Sequence, residues 1–232
     1  MILGILQCGE VSSEFQQEFG DYPAMIKNML TDMMPDDTSF VTYRIPDGEI
    51  PNEVDECDAY ITTGSRFGVN DGFEWIDKLS DFILQLNQAK KKLVGICFGH
   101  QLIAKALGGR VKLMDWRIGV AFNQLTQVCR WMEPSLEKLD IIVSHKDQVV
   151  EIPAGAVVLA SSSFCQYFML QYGENFLSIQ GHPEFSREYS RTLSHSRIDI
   201  IGANSVEEAD YSLQSPVDDK VTARWLANFL SF

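Results

Sequence analysis

The sequence predicts one α/β domain over residues 1–232, with a central, mostly parallel sheet, helices on both of its faces and a smaller antiparallel section. Three observations predict it. Through the first 110 residues, apolar and amphipathic stretches follow one another as strand, helix, strand, strand, helix, strand, helix, the order a helix-covered parallel sheet requires. Beyond that point the chain turns to β-like runs joined by turn residues. No internal repeat, low-complexity linker or break in composition divides it.

The first strand is the apolar run Ile2–Gln7, nearly continuous as befits burial on both faces and ended by Gly9. A helix is expected from Glu14 to Met34, with Phe15, Phe19, Met25, Ile26, Met29, Leu30 and Met33 at roughly helical spacing and Pro35 as the stop. Residues 39–45 and 58–64 read as strands. Phe73, Trp75, Ile76, Leu79, Phe82, Ile83 and Leu86 share one helical face, with acids early and Lys90, Lys91 and Lys92 read as the end of that solvated helix. Strand 92–96 and helix 98–107 follow, closed by Gly108-Gly109. Residues 110–129 and 141–180 carry several short β-like runs, with a hairpin turn at Tyr172-Gly173-Glu174-Asn175. Residues 217–231 place Val221, Trp225, Leu226, Phe229 and Leu230 on one stripe of a terminal helix.

Composition excludes several classes of function. A hydrophobic share of 45% with 22% charged residues suits a folded domain with a sizeable core. The net charge of −13 repels phosphate backbones and anionic lipid, so neither nucleic acid nor a membrane surface is an expected partner. The N-terminus lacks a basic flank and a cleavage site, and no apolar run reaches about 18 residues, so a soluble, cytoplasmic protein is expected. Five cysteines without a CxxC pair argue against a disulfide framework, and no His or Cys pair has metal-ligand spacing, so neither metal nor cofactor is expected.

The sharpest local signal is Gly95-Ile96-Cys97-Phe98-Gly99-His100-Gln101, set between a strand and a helix. G-x-C-x-G in that setting has the mechanics of a nucleophile elbow, in which glycines on either side permit a tight turn that exposes the central side chain. The helix N-terminus favours a thiolate there, and the N–H of Phe98 points where an oxyanion would form. The same five residues also describe a buried structural cysteine. A nucleophile needs a base, and Gln180-Gly181-His182-Pro183-Glu184-Phe185 supplies one. In an extended segment, residues two apart share a face, so the Glu184 carboxylate is placed to reach the His182 ring. His100 is expected to pack locally and His195 to lie on the surface.

GICFGHQ followed by QGHPEF resembles the class I glutamine amidotransferase family, with DAYITTGS at 58–65 in the place of its glycine-rich oxyanion loop and SHKDQV at 144–149 before the final strands. The resemblance implies a flavodoxin-like fold with Cys97 as nucleophile, His182 as general base and then acid, and Glu184 as the group orienting it. It implies an oxyanion hole at Gly64, Ser65 and Phe98, and a substrate contact at Gln101. Arg66, Trp116, Arg117 and His145 enter as further candidates for the substrate, a small γ-glutamyl compound. Thr63-Gly64-Ser65-Arg66-Phe67-Gly68 lacks the proline that many members carry in the oxyanion loop, and this longer, glycine-bearing loop resembles that of stand-alone guanylate-synthase-like amidotransferases and plant γ-glutamyl peptidases.

Three readings therefore remain beside glutamine hydrolysis. They are a γ-glutamyl peptide or conjugate hydrolase with the same triad, a cysteine-based sensor or chaperone-type relative, and a regulatory subunit. No nucleotide-binding phosphate loop is present in the sequence, so any acceptor of ammonia is expected on a separate synthetase chain.

Overall fold

The computed structural model describes residues 1–231; Phe232, the last residue of the expected domain, lies outside them. In chain order the elements are β1 (Ile2–Gln7), α1 (Ser13–Phe19), α2 (Tyr22–Leu30), β2 (Ser39–Arg44), β3 (Ala59–Thr62), α3 (Glu74–Gln88), β4 (Lys92–Ile96) and α4 (Phe98–Ala106). Then come β5 (Arg110–Leu125), β6 (Lys138–Glu151), β7 (Ala156–Ser161), β8 (Met169–Tyr172), β9 (Phe176–Ile179), α5 (Arg187–His195), α6 (Ile198–Ile201), α7 (Ala203–Ser212) and α8 (Asp219–Ser231).

The strands form one mixed sheet in the order β2-β1-β3-β4-β9-β8-β7-β5-β6. From β2 to β9 the pairing is parallel, the flavodoxin-like order, and from β9 outward it is antiparallel. Alternation along the strands builds the two faces. Leu3, Ile5, Ile61, Val94, Ile96, Leu177 and Ile179 pack beneath α2 and α8, where Trp225 is fully buried. Leu6, Tyr60, Leu93 and Phe176 pack on the other face against Ile76, Leu79, Ile83 and Leu86 of α3 and Leu102 and Ile103 of α4. Each such aliphatic side chain contributes about 1.5–3 kcal/mol on burial, which ties both helix layers to the strands that carry the site.

Three expectations are corrected, and one region goes unanticipated. The helix expected over 14–34 is two helices, because Gly20 adopts a left-handed φ of 75° and Asp21 then caps α2. The three lysines do not end α3. That helix stops at Gln88, Lys90 takes a φ of 55°, and Lys92 opens β4. Of the short runs expected after residue 110, those in 156–180 form as β7, β8 and β9, but residues 110–125 and 138–151 make the two long strands β5 and β6, paired over most of their length with a register shift between Leu113 and Arg117. Helices α5 to α7 are not anticipated by the sequence pattern, because α5 is polar overall, with Ser190 and Ser194 buried beside Tyr189 and Leu193, so no apolar run announces it. The expected hairpin at 172–175 does form, with Tyr172 opposite Phe176 and Gly173 at a φ of 58°. Among the described residues, no helix is long and apolar enough to cross a membrane.

Candidate active site

Strands β3, β4 and β9 are neighbours, and their carboxyl ends deliver three segments to one point: Thr63-Gly64-Ser65, Cys97 and Gln180-Gly181-His182. Cys97 caps α4 with φ 49° and ψ −95°, a conformation that costs a non-glycine residue about 1–3 kcal/mol. The strain sits on the cysteine itself and not on the flanking glycines, which serve close packing. A Cβ on Gly95 would lie 2.6 Å from Ile103 and 2.8 Å from the Gly99 backbone, and one on Gly99 would overlap the Thr62 hydroxyl. Thr62 also accepts from the Ile96 N–H at 3.2 Å, so the elbow is clamped to β3. Gly99→Ala is expected to destabilise the protein by about 1–3 kcal/mol through overpacking, measured as a lower urea midpoint. An unchanged midpoint would show that the elbow tolerates looser packing.

The Cys97 N–H bonds Ile179 O at 2.9 Å, which continues the β4–β9 ladder past the end of β4. The chain leaving β9 is then tied down twice, by Gln180 N to Phe168 O and His182 N to Ile142 O, each at 2.8 Å. Gly181 fits between them because a Cβ there would meet Ile141 at 2.5 Å and Phe168 at 2.9 Å. His182 Nδ1 lies 2.8 Å from Glu184 Oε1, with the two side chains only 4% and 1% exposed. The carboxylate arrives differently from the extended path expected: Pro183 and Glu184 form a turn closed by Phe185 N–H to His182 O at 3.3 Å. The Phe185 ring stacks on the imidazole at 3.9 Å between centroids, fixing its plane.

Burial opposes charge on His182, yet the Glu184 carboxylate and the Cys97 sulfur outweigh it and raise the imidazole to about 10. The other buried histidines go the opposite way. Burial, with His145 adding, pushes His100 down to about 3, and burial does the same to His145. Both are therefore neutral at pH 7. His100 does not bond locally as expected but reaches Ser178 Oγ on β9 at 2.7 Å. His195 is half-exposed and pairs with Asp210 at 2.7 Å. All five thiols are free, and burial raises Cys165 to about 12 and Cys8 higher still, which keeps both protonated.

Beside the elbow, the Thr63 hydroxyl bonds Gly64 O at 2.8 Å and accepts from Cys8 N–H, while Ser65 Oγ bonds Cys8 O at 2.8 Å. Gly64 lies so close to the imidazole that a Cβ there would touch His182 Cε1 at 2.8 Å. The Phe98 N–H heads α4 across from this loop.

A cavity of about 270 Å³ opens over Cys97 and is lined by Ser65, Arg66, Phe98, Gln101, Trp116 and His145, together with Lys146 and Arg197. The register shift in β5 falls at Trp116, whose ring has Lys146 Nζ at 5.9 Å and Arg197 Cζ at 5.8 Å. Arg117 does not line this cavity: it pairs across strands with His145, which does, but its guanidinium stacks on Phe164 at 3.6 Å. His145 lines the wall but is buried, with Nδ1 3.1 Å from Asp147 O. Sequence reasoning missed Arg197, which follows the unanticipated α5, and the stacking role of Phe185. It also missed Gln180, which stood in a quoted motif without a role. Among the described residues, no cluster of three or more His, Cys, Asp or Glu side chains is arranged to hold a metal ion.

Residues 40–194, more than half of the chain and the whole stretch from the Gly64 loop to Glu184, match the family described as Glutamine amidotransferase class-I. The chain is 36% identical over 186 residues to Gamma-glutamyl peptidase 4 of Arabidopsis thaliana, covering 76% of this chain and 73% of that protein. It is 32% identical over 142 residues to the A subunit of the glutamine-hydrolyzing GMP synthase of Saccharolobus solfataricus, covering 60% and 74%. Among solved structures, a glutamine amidotransferase from Thermotoga maritima superposes with a TM-score of 0.76 at 17% identity, covering 99% of this chain and 96% of that one, a likeness of fold. With the matched region carrying the elbow cysteine and the His-Pro-Glu turn, this chain belongs to the class I glutamine amidotransferase family.

Proposed function

We propose that the chain hydrolyses γ-glutamyl amides through a thioester on Cys97, with glutamine the simplest substrate and glutamate and ammonia the products. The observation that carries this reading is the strained elbow cysteine set beside a buried His182–Glu184 pair at 2.8 Å. Cys97 Sγ attacks the side-chain amide carbon, and the oxyanion that forms is held by backbone N–H groups of Phe98, Gly64 and Ser65. The His182 imidazolium gives its proton to the departing nitrogen as the C–N bond breaks. The same ring, now neutral, takes a proton from water, whose oxygen attacks the thioester carbon. The C–S bond then breaks, glutamate leaves, and the proton restores the imidazolium beside the sulfur. Glu184 holds the proton on Nδ1 so that Nε2 faces the sulfur and the substrate.

Gln101 is placed for the substrate's α-ammonium group. Its Nε2 is taken by Asp147 O at 2.8 Å and Gln180 Oε1 at 3.1 Å, so Oε1 is the atom that accepts. Arg66 is the candidate for the α-carboxylate. Any ammonia passed on rather than released goes to an acceptor site on a separate synthetase chain, a reading favoured by the archaeal relative, whose name makes it one subunit of a synthase.

A second reading, hydrolysis of γ-glutamyl peptides, is favoured by the three cations Arg66, Lys146 and Arg197 that outnumber the single carboxylate of Asp147 around one mouth in a chain of charge −13. Glutamine offers one carboxylate, and its leaving group is ammonia. A peptide leaving group adds a second carboxylate for Lys146 and Arg197 to bind, with Trp116 beneath. Glutamate release from glutamine and from a γ-glutamyl dipeptide, compared on the purified chain, tests both readings, and release from neither would overturn the proposal. Arg197→Ala is expected to raise KM about tenfold for a dipeptide with a free C-terminal carboxylate and to leave KM for its amidated form unchanged. Equal effects on the two would remove Arg197 from leaving-group binding.

A further inference from the structure

Gln180 is fully buried, and its side-chain nitrogen lies 3.5 Å from the Cys97 sulfur. The orientation of this amide follows from a chain of hydrogen bonds that begins at a group with only one possible role. Asp147 O is a backbone carbonyl and accepts only, so the Gln101 atom 2.8 Å from it is the amide nitrogen. That nitrogen also faces Gln180 at 3.1 Å, so the Gln180 atom opposite it is the oxygen. The Gln180 NH2 group is thereby turned to Cys97. A flip of either amide would place two donors or two acceptors face to face in a site that is buried from end to end.

The backbone holds this arrangement as firmly as the side chains do. Gln180 N–H is bonded to Phe168 O and Cys97 N–H to Ile179 O, so the donor and the sulfur ride on adjacent, directly laddered strand ends. The sulfur also faces His182, whose ring carries a proton that must leave during the reaction. Once the imidazolium has given that proton to the departing nitrogen, it offers the sulfur no charge. The Gln180 amide does not titrate, so its hydrogen bond persists through the whole cycle.

We infer that Gln180 is a positioning residue that donates a hydrogen bond to Cys97 Sγ, stabilising the thiolate before attack and as the leaving group when the thioester breaks, and that Gln101 fixes its orientation from behind. This rests on the reading of Cys97 as the nucleophile. It adds to that reading a donor independent of the His182 proton, and it gives Gln101 a second task beside substrate contact.

Iodoacetamide, which alkylates thiolates without needing the substrate site, tests the inference directly. Gln180→Met keeps the side-chain volume and removes the donor; Gln180→Glu puts an acceptor at the sulfur; Gln180→Asn keeps the amide at shorter reach. The acid limb of the Cys97 alkylation profile is expected to move about one pH unit upward in Gln180→Met, further in Gln180→Glu, and least in Gln180→Asn. Turnover of the γ-glutamyl substrate is expected to fall about tenfold in kcat with KM within about twofold in Gln180→Met. Gln101→Met, which frees the Gln180 amide to rotate, is expected to shift the alkylation profile in the same direction by less.

An unmoved profile in Gln180→Met and Gln180→Glu, with circular dichroism unchanged, overturns the inference and leaves the Cys97 reading standing. Equal shifts in all three Gln180 variants would also overturn it, because packing and not donation would then be the cause. Failure of the unsubstituted protein to be alkylated at Cys97 overturns both.

Discussion

Cys97→Ser is expected to lower glutamate release by about 10⁴-fold or more while the thermal midpoint stays within a few degrees. Serine fits the same space and the same N-cap, and the positive φ of 49° is unchanged, so the elbow folds as before. What changes is the atom. A hydroxyl is far harder to ionise than a thiol, and His182 poised as an imidazolium cannot also take its proton. The same substitution is expected to abolish labelling by a glutamine-analogue electrophile, read by intact mass. Burial raises Cys165 to about 12 and raises Cys8, Cys57 and Cys129 as well, which disfavours their thiolates; Cys129 alone of the four is partly exposed, so the labelled site is located by peptide mapping. Labelling that persists at Cys8 or Cys165 would refute the assignment of Cys97.

Glu184→Gln is expected to lower kcat by about 10³–10⁴-fold with little change in KM, because the amide no longer holds the Nδ1 proton and no longer supports the charge on the ring. The pH dependence carries its own sign. With His182 raised from 6.5 to about 10 by Glu184 and Cys97 against the opposing effect of burial, its charged form contributes to stability fully below about pH 6.5, and that contribution is lost as pH rises towards 10. The unsubstituted protein is therefore expected to lose stability across that window in urea titrations, and Glu184→Gln to show a flatter dependence. The alkaline limb of kcat/KM is expected to move to lower pH in the variant. An unchanged kcat would remove Glu184 from the mechanism, and an unchanged alkaline limb would remove it as the group that charges the ring.

The catalytic candidates are legible in the sequence because their signals are short and local. A cysteine between two glycines at the end of an apolar strand can be recognised from five residues, and a histidine two residues before a glutamate can be recognised from three. Even so, the mechanical reasons differ from those the patterns suggest. Gly95 and Gly99 relieve crowding against Ile103 and Thr62 while Cys97 bears the unusual φ, and Glu184 reaches His182 around a turn and not along a strand. The misread regions are those in which polarity misleads. Helix α5 is polar overall, with serines buried beside its few apolar residues, so no apolar run announces it, and Arg197 just beyond it cannot be connected with Trp116, some 80 residues earlier, from spacing. Arg117 draws notice in the sequence because it adjoins Trp116, whereas neighbours along a strand point to opposite faces.

The sequence by itself determined the class of fold and the parallel core and named the candidates for the chemistry, because periodic burial and tight turns are properties of a few consecutive residues. Only the tertiary structure decided that β9 lies beside β4, and with it which residues meet at the sulfur. That pairing joins segments about 80 residues apart and is chosen by the packing of the whole sheet. It sets His182 and Gln180 beside Cys97, while the pairing of β5 with β6 and the docking of α5 turn Arg117 to Phe164 and bring Arg197 in, contacts that no local pattern encodes.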